Sequence, residues 1–229
     1  MALTAELREK HRDLWEGVVT HPFVLEMGEG TLPRKMFRDY FVQDYAVVGD
    51  IVSILSMGIA KAPDFDAASR FNRFITSILD PENDIFVNAF KEMKVTPEEM
   101  ARKTPTTQAF GDFMVRVGLE GRFEDIATVL YVTEGAYLDW ATRLIKAGKR
   151  PRNAAYQAWI DIHGPAMLGD IVAFLGQHVD RNTPAKRRQR VEKLFLTSLR
   201  YEYGFFEAAY RGEQWPDEQT TRRSLGGMR

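Results

Sequence analysis

Three carboxylates, Asp44, Glu134 and Glu202, lie in apolar helical stripes where a plain helical bundle would carry leucine or valine. Around Asp44 and Glu202 the apolar residues recur every three or four positions, so each acid points where its apolar neighbours point. Glu134 lies on a helix that is predicted to be apolar over most of its circumference. An isolated ionised carboxylate is costly to bury unless it is paired, hydrogen-bonded, neutralised or facing a wet cavity. One polar cavity inside the bundle would explain all three acids.

A second interpretation is that each acid is a satisfied core residue, paired with a lysine or arginine or accepting backbone hydrogen bonds. His163 follows Trp159 and Ile160 on one apolar face, where a histidine is more often a core residue than a catalyst. Its functional interpretation gains weight if it shares the cavity with the acids. Aromatic side chains lie in the same segments as the acids, which favours a flat heterocycle as the ligand; they are Tyr40, Phe41, Tyr45, Phe113, Tyr137, Trp159, Tyr203, Phe205 and Phe206.

The composition excludes several kinds of partner and site. The 229 residues carry 31 basic against 32 acidic side chains, and a net charge of -1 offers no long-range attraction to nucleic acid or an anionic membrane. The absence of cysteine removes disulfides, thiolate metal sites and cysteine nucleophiles. The basic run 186–190 is predicted to form the solvated first turns of a helix. The N-terminus lacks a signal-peptide pattern, and the apolar stretch 45–60 is short for a bilayer span, so we expect a cytoplasmic protein.

Nearly every segment is predicted to be helical, and no sustained period-two alternation indicates a strand. We therefore expect an all-α fold of about eight helices, with the helix over 33–60 at its centre. Residues 1–215 are predicted to form a single domain, and the polar tail 216–229 is predicted to fray. Helix starts are signalled at Thr31 with Pro33, Thr96 to Glu99, Thr104-Pro105 and Thr183-Pro184.

Known metal and cofactor motifs are missing from the chain. A carboxylate-bridged di-iron site in a helical bundle would show Glu-x-x-His pairs. No histidine here has a glutamate three residues before it; the four are His11, His21, His163 and His178. Zinc-protease, phosphate-loop and dinucleotide motifs are absent as well. We predict neither a metal nor an organic cofactor.

Short motifs at both ends and in the middle of the chain point to one known family. The first third contains His21-Pro22-Phe23-Val24, Gly30-Thr31-Leu32-Pro33, Phe37-x-x-Tyr40 and Gln43-Asp44-Tyr45. The later segments are Tyr156-x-x-Trp159-Ile160, the run from Ser198 to Tyr210, and Glu213-Gln214-Trp215. Together these motifs closely resemble the TenA/thiaminase II family, in the expected order and over most of the chain.

The resemblance implies a haem-oxygenase-like bundle, usually a homotetramer, that salvages thiamin breakdown products without a cofactor. Members hydrolyse an aminomethylpyrimidine to its hydroxymethyl form with loss of ammonia, and some cleave thiamin itself. By position, Asp44 would hydrogen-bond the amino group and one ring nitrogen of the pyrimidine. Glu202 would act as acid and base on the opposite ring nitrogen, while Phe205 would pack against the ring. A buried acid with a raised pKa suits proton exchange near neutral pH.

The resemblance also exposes a missing nucleophile. Many members carry a cysteine on the helix that here reads Thr133-Glu134-Gly135-Ala136-Tyr137, with a tyrosine four residues further on. If Tyr137 is that tyrosine, Thr133 occupies the cysteine's place; with a shift of one residue, Glu134 does. A branch of the family lacks this cysteine and relies on carboxylates, so Glu134 is the preferred substitute.

Three further positions depart from the family pattern. Val47, Phe113 and His163 stand where the family carries tyrosines that contact the ring, so three phenol hydroxyls are lost from the expected pocket. A site that hydrogen-bonds its substrate discriminates sharply when such partners disappear. The substitutions therefore argue against thiaminase activity and for an altered ligand.

Three functions follow from these residues. The leading hypothesis is a cysteine-less aminopyrimidine hydrolase that takes a small heteroaromatic substrate and assembles as a dimer or tetramer. The second is an oxidase or oxygenase of the same fold, in which His163 with Asp44 or Glu202 holds iron. The third is a pyrimidine-binding protein that has lost its nucleophile.

Overall fold

The computed structural model describes residues 2–217, which form α-helices and contain no strand. Helices α5 and α6 are joined by a π-helical turn, Ile78–Glu82, and a 3-10 turn, Ala185–Arg187, precedes α12. The helices are α1 (Leu3–Lys10), α2 (Arg12–Val19), α3 (Pro22–Glu29), α4 (Arg34–Ala60), α5 (Phe65–Ser77), α6 (Asn83–Met93), α7 (Pro97–Met100), α8 (Pro105–Glu120), α9 (Phe123–Lys146), α10 (Ala154–Ile162), α11 (Pro165–Asn182) and α12 (Arg188–Arg211). The tail predicted to fray lies outside the described residues from 218 onward.

The predicted count of about eight helices is wrong, because breaks of one or two residues divide the N-terminal segment into α1, α2 and α3. The predicted start signals are largely confirmed. Thr96 and Glu99 form a reciprocal capping box at the start of α7. The Thr104 hydroxyl accepts from the backbone N–H of Thr107 at the start of α8. Proline at the first position of such a helix costs no hydrogen bond, since a backbone N–H there would be unpaired anyway.

The basic run 186–190 is solvated as predicted except at Arg187, which is half-buried. The Arg187 guanidinium lies 2.6 Å from the carboxylate of Asp125 and 2.9 Å from that of Glu124. Arg190 contacts the same Asp125 carboxylate at 3.0 Å, and Asp125 is buried. These pairs tie the start of α12 to the start of α9, so the run has a structural role.

Helix α4 takes the central position predicted for it and contacts α5, α8, α9 and α12. Its side chains at Ile54 and Leu55 are fully buried, whereas Gly49 and Ser53 keep one face open. At 27 residues it is longer than the apolar stretch recognised in the sequence. By length and composition, α4 and the stretch Ala154–Asn182 could each cross a membrane, but a core helix of a soluble protein meets the same criterion.

Gly58 allows α4 and α5 to approach closely. A Cβ atom at this position would lie 2.4 Å from the ring of Phe71, which is fully buried. We expect Gly58→Ala to lower the free energy of unfolding by about 1–2 kcal/mol, because overpacking outweighs the gain in helix propensity. Urea denaturation measures the change. The control is Gly49→Ala on the same helix. A Cβ atom at Gly49 would have no neighbouring atom within 4 Å, so this variant should be more stable than the wild type by up to about 1 kcal/mol.

Candidate active site

Four carboxyl groups from four segments line one cavity in the bundle. Asp44 comes from α4, Glu82 from the π turn, Glu134 from α9 and Glu202 from α12. The space between the walls is about 780 Å³, including its opening to solvent. The structure thus brings the three acids singled out from the sequence to a common cavity, together with one that the sequence did not reveal.

The rest of the wall is mainly apolar and includes flat side chains. Of the other residues expected in the site, Val47, Tyr137, His163 and Phe205 line the cavity. An apolar wall with a few convergent polar groups is typical of a small-molecule site. The remaining lining residues are Ile51, Phe74, Ser77, Ile78, Phe110, Met114, Leu130, Thr133, Ile162, Met167 and Leu168.

Phe113, predicted to contact the ligand, does not line the cavity. Its ring packs against that of Tyr201, with the centroids 5.2 Å apart. Phe110 and Met114 face the cavity instead. Residues four apart share a helix face, while the residue one position before Met114 is turned by about 100°. The prediction was wrong because it took Phe113 for the family's tyrosine position, whereas the cavity-facing aromatic residue lies three positions earlier.

The acids in this cavity are not members of ion pairs within the described part of the chain. Asp44 and Glu202 are 9% and 2% exposed. No lysine or arginine is among the groups that shift their pKa values. One Glu202 oxygen, Oε2, is buried and has no hydrogen-bond partner among residues 2–217. The interpretation of these acids as salt-bridged core residues therefore fails.

Burial raises the pKa values of the cavity acids. It raises the pKa of Asp44 to about 7, although a hydrogen bond from Tyr40 opposes the shift. Burial and the charge of Asp44 raise the pKa of Glu134 to about 8. The pKa of Glu202 lies well above its ordinary value because of burial and the charges of Glu134 and Asp44. Acids of this kind can both donate and accept protons near neutral pH.

A hydrogen-bonded network of aromatic side chains orients Asp44. The indole nitrogen of Trp159 donates to the hydroxyl of Tyr40 at 3.2 Å, and the hydroxyls of Tyr40 and Tyr137 lie 2.7 Å apart. If Tyr137 also donates, the Tyr40 proton is free to point at Asp44. That arrangement fits the lowering effect of Tyr40 on the pKa of Asp44. The network fixes the carboxyl in one orientation, as substrate recognition requires.

His163 is a neutral member of the cavity wall. Its Nδ1 lies 2.8 Å from the carbonyl oxygen of Trp159, so Nδ1 carries the proton and Nε2 is left as an acceptor. Burial lowers its pKa to about 4. Across residues 2–217, no group of three or more His, Asp or Glu side chains is placed to hold a metal ion. An iron site built on His163 with Asp44 or Glu202 therefore lacks a full ligand set in this region.

Both candidates for the missing cysteine's place reach the cavity. Thr133 and Glu134 line it side by side. The Thr133 hydroxyl lies 3.2 Å from the carbonyl oxygen of Leu130 and 3.4 Å from Glu134 Oε1. A hydroxyl has a single proton, so a Thr133 that donates to the backbone cannot also donate to Glu134. The carboxylate is thus the more available of the two groups.

Glu82 is the cavity acid that sequence reasoning missed. It keeps some accessible surface because it faces the cavity, yet burial raises its pKa well above the ordinary value, with Asp44 and Glu134 adding to the shift. The available signal was Pro81, since a proline inside a helical segment removes a backbone hydrogen bond and marks a kink or bulge. Such bulges are frequent at functional sites.

The raised pKa values predict that folding stability falls as the pH rises. Asp44 and Glu134 have ordinary pKa values of 3.8 and 4.5 and folded values of about 7 and about 8. The folded chain therefore binds more protons than the unfolded chain between these limits. The stabilisation of the folded state by these protonated carboxyl groups is fully present below about pH 4. It is lost as the pH rises through their folded pKa values of about 7 and 8. Each group contributes up to about 1.4 kcal/mol per pH unit.

Thermal denaturation between pH 5 and 8.5 measures this dependence. We expect Tm to fall across the range, and Asp44→Asn to flatten the slope because it removes one of the titrating groups. A difference in stability between the variant and the wild type that stays constant with pH would contradict the assignment of a raised pKa to Asp44.

Comparison with known proteins identifies the family of this chain. The TENA/THI-4/PQQC family matches residues 8–212. The chain belongs to this family. A relative from Helicobacter pylori, named aminopyrimidine aminohydrolase, is 28% identical over 216 residues, which cover 92% of this chain and 100% of the relative. The family resemblance drawn from the motifs is therefore confirmed.

Solved structures share the fold. A TenA homologue from P. horikoshii OT3 matches with a TM-score of 0.83 and 23% identity, covering 93% of this chain and 100% of that one. A domain of unknown function from Shewanella denitrificans, described as having a heme oxygenase-like fold, matches with a TM-score of 0.69 and 12% identity. That match covers 91% of this chain and 92% of the other. The predicted all-α, haem-oxygenase-like fold is confirmed.

Proposed function

We propose that this chain is a cofactor-independent hydrolase of aminopyrimidines that derive from thiamin breakdown. The observation that carries the proposal is the set of buried acids, unpaired within the described residues, at a cavity with flat apolar walls. The chain has no cysteine, so oxygen and nitrogen groups must supply the chemistry. The printed name of the Helicobacter pylori relative, aminopyrimidine aminohydrolase, supports the same reaction class.

Asp44 is suited to recognise the pyrimidine. An aminopyrimidine presents an amino donor beside a ring-nitrogen acceptor. A protonated carboxyl group matches that pair, because its O–H donates to the nitrogen while its carbonyl oxygen accepts from the amino group. Because burial raises its pKa to about 7, the protonated form of Asp44 is accessible at neutral pH. Phe205 lines the cavity and offers a face for the ring.

Glu202 would transfer protons to and from the ring, and Glu134 would drive the displacement of the amino group. Glu202, held protonated by burial, would deliver a proton to the opposite ring nitrogen and make the ring electron-poor. Glu134, or a water molecule that it deprotonates, would supply the oxygen nucleophile. When water is the nucleophile, Glu134 takes one of its protons as the water oxygen bonds to the methylene carbon. The bond from that carbon to nitrogen breaks, and the amino group, which arrives as ammonium, leaves as ammonia. The net reaction consumes one water and releases one ammonia and one proton, which Glu134 passes to solvent, while Glu202 takes its own proton back from the ring.

A steady-state assay of ammonia release tests this function. The substrates are the aminomethylpyrimidine, its formylated form and thiamin. We expect turnover of the amine and none of thiamin, since two expected phenol groups of the cavity wall are replaced by Val47 and His163. A folded protein that binds the amine in calorimetry without turning it over would be a binding protein. A protein that neither binds nor turns over any of them would refute the proposal.

We also propose that the chain works in the cytoplasm and self-associates as a dimer or tetramer. The family resemblance supports self-association. Light scattering coupled to size-exclusion chromatography measures the mass in solution. A mass near 26.3 kDa, that of a single chain, would contradict self-association.

A further inference from the structure

Glu82 has no role in the reaction described above, yet the fold places it at the cavity. It ends the π turn Ile78–Glu82, and Ser77 and Ile78 just before it line the same cavity. A π turn with Pro81 inside it is uncommon and costs hydrogen bonds that a regular helix would make. Local irregularity of this kind persists where it serves a function. The turn brings the Glu82 carboxyl close enough to Asp44 and Glu134 for their charges to act on it.

The cavity has several acids and no compensating cation among the described residues that line it. The titratable groups that line it are Asp44, Glu82, Glu134, Tyr137, His163 and Glu202, while α5, α8 and α11 line it with uncharged side chains. His163 is neutral, since burial lowers its pKa to about 4. The buried Glu202 Oε2, without a partner among residues 2–217, shows that the polar groups are not satisfied internally. A ligand that brings a positive charge would complete this site electrostatically.

We propose that Glu82 is a specificity-determining residue that binds the positively charged amino group of the substrate and selects amines over neutral analogues. The inference rests on the proposed function, because that amino group is the one hydrolysis removes. An entering ammonium favours the ionised form of a nearby carboxyl, so amine binding should release a proton. The alcohol product carries no charge and forms no such pair. Glu82 would therefore hold the substrate and let the product leave.

Calorimetry measures both parts of this proposal. The aminomethylpyrimidine and its hydroxymethyl counterpart are titrated at pH 7 in buffers of different ionisation enthalpy. The titrations use the Glu202→Gln background, so that the amine is not consumed. We expect proton release with the amine and none with the alcohol. Adding Glu82→Gln should weaken amine binding by about 10–100-fold, the scale of a charged hydrogen bond, and leave alcohol binding within about twofold.

The matched control is Asp80→Asn, which removes the same charge from an exposed position in the same π turn. It should leave both affinities and kcat/KM unchanged. Glu82→Asp keeps the charge and should recover part of the amine affinity and the proton release. In the chain with Glu202 intact, Glu82→Gln should raise KM for the amine more than it lowers kcat.

The outcomes separate this inference from the proposed function. If the wild type turns over the amine but Glu82→Gln keeps the wild-type preference for amine over alcohol, the inference is wrong and the function stands. If the chain prefers the amine through Glu82 but never turns it over, the function is wrong. Should Glu82→Gln fail to fold, equal proton release with amine and alcohol in the parent chain would overturn the inference.

Discussion

Replacing Glu202 with glutamine is expected to lower kcat/KM for the aminomethylpyrimidine by about 10²–10⁴-fold, the usual contribution of a general acid or base. Glutamine keeps the size of the side chain but cannot pass a proton to a ring nitrogen at neutral pH. Since Glu202 Oε2 has no partner among the described residues, the change breaks no hydrogen bond there. Tm should therefore stay close to that of the wild type, and the loss should be purely kinetic.

Glu192→Gln provides the control on the same helix. Glu192 lies near the surface, and its carboxylate is 2.6 Å from the ammonium group of Lys10. Surface ion pairs of this kind contribute about 1 kcal/mol or less, and this one lies outside the cavity. Activity of Glu192→Gln should match the wild type. A Glu202→Gln protein with more than a tenth of the wild-type kcat/KM would remove Glu202 from the acid-base role.

Replacing Glu134 with glutamine is expected to lower kcat by about 10²–10³-fold while KM changes only a few-fold. A nucleophile or base acts in the transition state and contributes little to ground-state binding, so its loss appears in kcat. The pKa of Glu134 is raised to about 8. The wild-type kcat should therefore increase with pH up to about 8, and the variant should lose that increase. A pH series of initial rates measures both effects.

Thr133→Val is the matched comparison, because it removes the neighbouring hydroxyl and keeps the branched shape. That hydroxyl lies 3.2 Å from the Leu130 carbonyl oxygen, and we expect a change in kcat of less than about fivefold. The reverse pattern, with Thr133→Val inactive and Glu134→Gln active, would put the hydroxyl in the cysteine's place. The family's thiol position would then be filled by Thr133.

The acids on regular helices could be predicted from the sequence, and the one on the irregular turn could not. Asp44 and Glu202 each interrupt an apolar stripe of helical period, so the period alone indicates that they point inward. Glu82 ends a π turn, where the hydrogen-bond spacing changes and the helical period assigns side chains to the wrong face. Pro81 marks an irregularity in this segment, but it does not indicate which way the neighbouring acid points.

Other errors also have physical causes. The aromatic position on α8 was taken from the family pattern, and the residue that lines the cavity is Phe110, three positions before Phe113. The pairing of Arg187 with Asp125 joins residues 62 positions apart, which no local charge pattern indicates. The helix class, the central position of α4 and the capped helix starts follow from local composition and spacing, and these predictions agree with the structure.

The π turn also bears on how this chain can change. Helices α5 and α6 continue into each other through Ile78–Glu82, and the aromatic residues Phe86 and Phe90 beyond it are buried. A π turn holds one residue more than an α-helical turn, so deleting one residue from it would restore regular hydrogen bonding and leave the following helix in register. Both rings would then keep their places against Phe41. The extra residue can therefore be gained or lost without disturbing the packing of α6.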